Sequence, residues 1–118
     1  MIKGGCHCGS VRWEIVAWPE SVTVCNCSLC RKLGTQWGEV DPANTSITAD
    51  LPQTGYVSGD ETLTVHRCTK CGVTTHWSSR DPDAPKRMKI NFTTADDPLP
   101  GIVRVRHFDG ADSWEFLD

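Results

Sequence analysis

Seven cysteines stand in three short clusters along this chain of 118 residues. Nothing else in the sequence constrains the fold as strongly, because cysteines that share a metal dictate which distant segments must meet. The clusters are Cys6-His7-Cys8, Cys25-Asn26-Cys27-Ser28-Leu29-Cys30 and Cys68-Thr69-Lys70-Cys71-Gly72. A pure disulfide framework would leave one thiol over. The stretch "MIKGGCHCG" has no apolar signal core, and no run approaches the roughly 18 apolar residues of a membrane span. The expectation is a cytoplasmic protein with reduced thiols, in which metal binding explains the cysteines better than disulfides.

The third cluster reads C-x-x-C-G. Two intervening residues let both sulfurs turn to one point, and the glycine supplies a positive φ that closes the turn. Such a knuckle offers two thiolates, and a closed tetrahedral site needs two more. "GGCHCGS" fits: residues i and i+2 of a strand face one side, and Gly4, Gly5 and Gly9 allow a local bend. Cys6, Cys8, Cys68 and Cys71 are therefore expected to hold a structural zinc. It would clip the N-terminus to a hairpin of 62–68 and 74–79.

Cys25, Cys27 and Cys30 remain. A strand end followed by a helical turn can aim all three at one point, and three protein ligands with an open position characterise a catalytic zinc. Two other readings stay open. A histidine (His7, His66, His76 or His107) would close the site, or Cys27 and Cys30 would form a disulfide with Cys25 spare.

Around the clusters, strand signals dominate. "VRWEIV" (11–16) alternates with Val11, Trp13 and Ile15 on one face, and "TLTVHRC" (62–68) alternates likewise. "SVTVC" (21–25), "TGYVSG" (54–59), "TTHWSS" (74–79), "RMKINF" (87–92), "IVRVRHF" (102–108) and "SWEFL" (113–117) complete the set. Turn residues such as Asp41-Pro42 and Asp109-Gly110 separate most of them. "SLCRKL" (28–33), with Ser28 as N-cap and Gly34 as terminator, is the one helical turn expected. The fold class is mainly β: one small zinc-stapled domain over 1–118, of short antiparallel strands with little helix. The net charge of -3 and the lone basic run "KRMK" (86–89) give no footprint for nucleic acid, so neither nucleic acid nor membrane is an expected partner.

The three clusters in this order resemble the glutathione-dependent formaldehyde-activating enzyme family, which includes centromere protein V. The likeness runs from "GGCHCGSVRW" through "CNCSLCRKLG" and "HRCTKCGV" to "INFTTADDP" and "RVRHFDGADSW". In that family the middle cluster often reads C-H-C, where this chain has Asn26. The resemblance implies a Mss4-like β fold, two zinc ions and carbon–sulfur lyase activity. The CxC and CxxC pairs would hold the structural ion, and Cys25, Cys27 and Cys30 the catalytic one.

Three thiolates make a zinc site anionic and soft, suited to a substrate thiol as fourth ligand. The expected function is a zinc-dependent lyase acting on thiol–aldehyde adducts such as S-hydroxymethylglutathione, with a small thiol, glutathione in the first instance, as substrate. Arg31 and Lys32 are candidates to steer an acidic thiol. Asn26 and Ser28 are candidates to hydrogen-bond sulfur or substrate, and Trp37, His107 and Trp114 to approach it. No residue declares itself as general acid or base. The alternative is a non-enzymatic zinc-stabilised β module that binds a protein partner.

Overall fold

The computed structural model describes residues 1–83 and 86–118. The N-terminal strands form a three-stranded antiparallel sheet, in which β2 (Val11–Ile15) lies between β1 (Ile2–Gly5) and β5 (Ser46–Ala49). The other strands build a seven-stranded sheet. Across it run β10 (Arg104–Phe108), β3 (Ser21–Cys25), β4 (Trp37–Val40), β9 (Met88–Asn91), β8 (Thr74–Ser79), β7 (Leu63–Cys68) and β6 (Gln53–Val57), in that order. One six-residue helix, α1 (Ser28–Leu33), follows β3.

The sheets pack face to face because alternation gives each an apolar side. Trp13 and Ile15 from β2 meet Val22, Ile90, Phe92 and Val103, all nearly excluded from solvent. The Trp13 indole N–H donates to Thr94 Oγ1 at 2.9 Å, so the largest core side chain carries no unsatisfied donor. The outer face of the seven-stranded sheet is also apolar in part, and buries Trp37, Val65 and Trp77 together.

Most strands lie within two residues of their expected ends. The sheet is not wholly antiparallel, because β10 runs parallel to β3, from Arg104 opposite Ser21 to Phe108 opposite Cys25. No hairpin joins these strands, so the chain is free to return in either sense. The 113–117 segment forms no strand. It folds back on the edge of β10 through a single bridge, Phe108 to Phe116, and the bonds Asp109 N–H to Glu115 O and Leu117 N–H to His107 O. That covers part of an edge that would otherwise be unpaired. The N-cap of α1 is Cys27 rather than Ser28, and Gly34 ends the helix in the left-handed region.

On β7 and β8, His66 and His76 pair across the strands with rings stacked 4.3 Å apart. Thr75 Oγ1 lies 2.9 Å from His76 Nδ1. Burial, with a contribution from His66, pushes the His76 pKa down to about 3. A histidine depressed in the folded state stabilises the fold above its unfolded value of ~6.5, and that stability is lost as pH falls below it. Between pH 7.5 and 5 the loss amounts to about 2 kcal/mol. Urea titrations should show His76→Phe losing less stability than the parent over this interval by that amount, and parallel curves would refute the assignment.

Candidate metal centres

Two cysteine clusters emerge, and they contain all seven cysteines. In the first, Cys6, Cys8, Cys68 and Cys71 bring their Sγ atoms within 4.8 Å of one another. Cys6–Cys8 and Cys8–Cys68 are each 3.6 Å apart. Thiolates on a tetrahedral ion with bonds of ~2.3 Å stand about 3.8 Å apart, so the donor set fits zinc. Each half is a turn. Cys68 Sγ accepts from the N–H groups of Lys70 and Cys71, and Gly72 closes the knuckle at φ +78° with its N–H on Cys68 O. Cys6 Sγ accepts from Val11 N–H. Cys6 and Cys8 converge because the chain turns after β1, not because a strand presents both on one face. Ser10, which the cysteine pattern does not flag, places its hydroxyl 3.1 Å from both Cys8 and Cys68 sulfurs. The N–H of Cys71 and the Ser10 hydroxyl, opposed by burial, bring the Cys68 pKa down to about 5. The cluster joins the β1–β2 turn of one sheet to the β7–β8 turn of the other, beside Val11, Ile47 and Val73.

In the second cluster, Cys25 ends β3 and Cys27 and Cys30 belong to the cap and first turn of α1. Their three Sγ atoms also lie within 4.8 Å of one another, and among the described residues no histidine or carboxylate joins the group. His66 and His76 stack on each other, and His107 is held by Asp118 through a 2.7 Å contact at Nδ1. Cys27 Sγ accepts from Cys30 N–H, and Cys30 Sγ accepts from the Trp37 indole N–H at 3.4 Å. Burial opposes the Cys27 thiolate, but the hydrogen bonds from Cys30 outweigh it and lower its pKa. Burial pushes the Cys30 thiol up to about 12, against the Trp37 N–H and aided by Cys27 and Cys25. A divalent ion entering the group must displace the protons that remain on its sulfurs.

The C-terminal loop completes the surroundings. Asn26 donates to Asp109 Oδ1 and accepts from Ala111 N–H, so it anchors the 109–113 loop instead of offering its amide to a ligand. That loop crosses the sulfurs closely: a Cβ on Gly110 would lie 2.6 Å from Cys25 Sγ. Arg31 and Lys32 are both exposed. Lys89 on β9 is the cation that sequence spacing misses. It is half-buried, with its ammonium 5.9 Å from the Trp77 ring centroid. Burial holds its pKa below the usual value, while Glu39, Cys25 and Cys30 oppose that shift.

Two cavities border Cys25 and Cys30. One, of about 430 Å³, is edged by Arg31, Thr35, Gln36, Thr93 and His107. The other, of about 510 Å³, is walled by Trp37, Trp77, Phe108, Trp114 and Phe116, with Lys89 in its lining. Alternation along β3 and β10 separates them: Val24 and His107 serve the first, Thr23 and Phe108 the second, although Phe108 borders both.

A mainly β chain with one four-cysteine and one three-cysteine group, each able to hold a metal ion, defines the class of domain. The family description "Glutathione-dependent formaldehyde-activating enzyme" matches residues 1–107, and the chain belongs to this family. A Halomonas elongata protein, provisionally named glutathione-dependent formaldehyde-activating enzyme, is 32% identical over 113 residues, spanning 85% of this chain and 69% of that protein. The crystal structure of a Rhodobacter sphaeroides protein superposes with a TM-score of 0.68 at 26% identity, covering 87% of this chain and 98% of that one.

Proposed function

We propose that the protein is a zinc-dependent carbon–sulfur lyase acting on thiol–aldehyde adducts of the S-hydroxymethylglutathione type. Cys6, Cys8, Cys68 and Cys71 would hold a structural ion, and Cys25, Cys27 and Cys30 a catalytic one. The observation that carries the reading is the group of three convergent sulfurs, bordered by two cavities and joined by no fourth protein donor among the described residues. When bound there, zinc supplies a soft Lewis acid that favours the ionised form of a substrate thiol and the departure of carbon from sulfur.

The chain's own groups do the rest. The Trp37 N–H and the Cys30 N–H hold two of the sulfurs in fixed directions, as partners beyond the ligands do in metal sites generally. Asn26 keeps the 109–113 loop over Cys25 and limits access of water from that side. Lys89 brings positive charge toward a cluster that is anionic once its thiols ionise. The membership in a formaldehyde–glutathione family agrees with this chemistry.

The reading is tested on protein purified without chelator. Two zinc ions per chain are expected by elemental analysis. After cobalt exchange, adding glutathione should change the visible spectrum, because a further sulfur joins the metal, whereas an alcohol of similar size should not. A cobalt spectrum indifferent to thiols, in protein whose three-cysteine group holds the metal, would favour a zinc-stabilised binding module instead.

A further inference from the structure

We infer that the carbonyl partner of this site is not formaldehyde alone but an aromatic or similarly apolar aldehyde carrying an acidic group. The inference rests on the lyase reading and names its substrate class. Its starting point is the mismatch between a hydroxymethyl group and the space beside the sulfurs. One carbon and one oxygen leave nearly all of the 510 Å³ cavity unfilled. Indole and phenyl rings make up much of its wall, including the half-exposed Phe116 and the largely exposed Trp114, while the one carboxylate among its described lining, Asp60, accepts from the Thr62 N–H and hydroxyl. An exposed apolar concavity of this kind is what a ligand with an apolar body covers.

The peptide part of glutathione is a poor occupant for that wall. Its amides, carboxylates and ammonium lose solvation against rings and gain few hydrogen bonds in return. The cavity on the other face suits them better. Arg31 stands at its edge, and the Thr35 hydroxyl in its wall is buried with no hydrogen-bond partner. With the sulfur at the three cysteines, the peptide lies on one side and the group attached to sulfur on the other.

Charge narrows the second group. Arg87 is occupied by Glu39, through bonds of 2.8 and 3.1 Å. Lys89 lies beside them, and among the described residues no carboxylate pairs with it. A half-buried unpaired ammonium in an aromatic pocket selects a ligand with an anionic end. The reaction balances without oxidant or reductant. The carbon–sulfur bond of the hemithioacetal breaks, its electron pair stays on sulfur, the hydroxyl proton passes to water, and the carbonyl forms.

Stable thioethers test this on the zinc-loaded protein, with quenching of tryptophan fluorescence as readout. S-(4-carboxybenzyl)glutathione should bind about tenfold or more tighter than S-methylglutathione, the order expected for burying one ring. S-(4-methylbenzyl)glutathione should fall between them. Lys89→Met should erase the advantage of the carboxylate and keep that of the ring, and Trp77→Ala should weaken both benzyl compounds. Equal binding of all three thioethers overturns the inference, as does a carboxylate advantage untouched by Lys89→Met. A glutathione response of the cobalt protein, measured alongside, keeps the two questions apart: its loss sinks the lyase reading, while its presence with no preference among thioethers sinks only the substrate class.

Discussion

Cys71→Ser should yield insoluble or largely unfolded protein. Cys71 completes the four-sulfur group that ties the β1–β2 turn to the β7–β8 turn. Around it only Val11, Ile47 and Val73 add apolar contact between the sheets. Structural zinc contributes roughly 10–16 kcal/mol to the folding of small domains, against a net stability of about 5–15 kcal/mol for a whole domain. Losing even half of that metal affinity, roughly 5–8 kcal/mol, is comparable with the whole net stability of a small domain. Far-ultraviolet circular dichroism and a thermal melt of any soluble fraction decide the matter. A folded Cys71→Ser protein melting within a few degrees of the parent would mean that this cluster is not the staple. A strong chelator should reproduce the collapse in the unaltered protein, and slowly, since Cys6 and Cys68 are buried.

The cysteine spacing made both clusters legible before any fold was known, because paired and tripled cysteines at two- and three-residue spacing mark segments whose sulfurs converge. Alternation exposed β2 and β7 for an equally physical reason, since each has a face to bury, and the β-branched run "SVTVC" exposed β3. The strands it missed lack that signature. β1 reads "IKGG", β4 is only four residues with Gly38 inside, and β5 is mostly exposed. What spacing could not supply was the company of the sulfurs. Ser10 sits between Cys8 and Cys68 because of a turn. Lys89 comes beside the three-cysteine group from 59 positions beyond Cys30, through the register of β9 with β4 and β8. From sequence Asn26 is a candidate to hydrogen-bond sulfur or substrate, yet its amide has both ends taken by the C-terminal loop.

Cys27→Ser should behave in the opposite way from Cys71→Ser, and this contrast is the sharpest test of the division of labour. Cys27 caps α1 by accepting from Cys30 N–H. Serine is among the best residues for that position, so the helix keeps its cap. The substitution buries no new polar group in the core, because Cys27 is only half-buried. The melting temperature should stay within about 5 °C of the parent. The metal count should fall from two to one, since a serine hydroxyl is a poor zinc ligand and Cys30, held up to about 12 by burial and its neighbours, gives up its proton only to a strongly held ion. Exchange of formaldehyde with glutathione, followed by nuclear magnetic resonance, should slow by more than the ~10–100-fold that follows loss of a mere supporting hydrogen bond in a metal site. A Cys27→Ser protein that keeps two zinc ions and its exchange rate would remove the three-cysteine group from the chemistry altogether. One that unfolds would show that both clusters are staples.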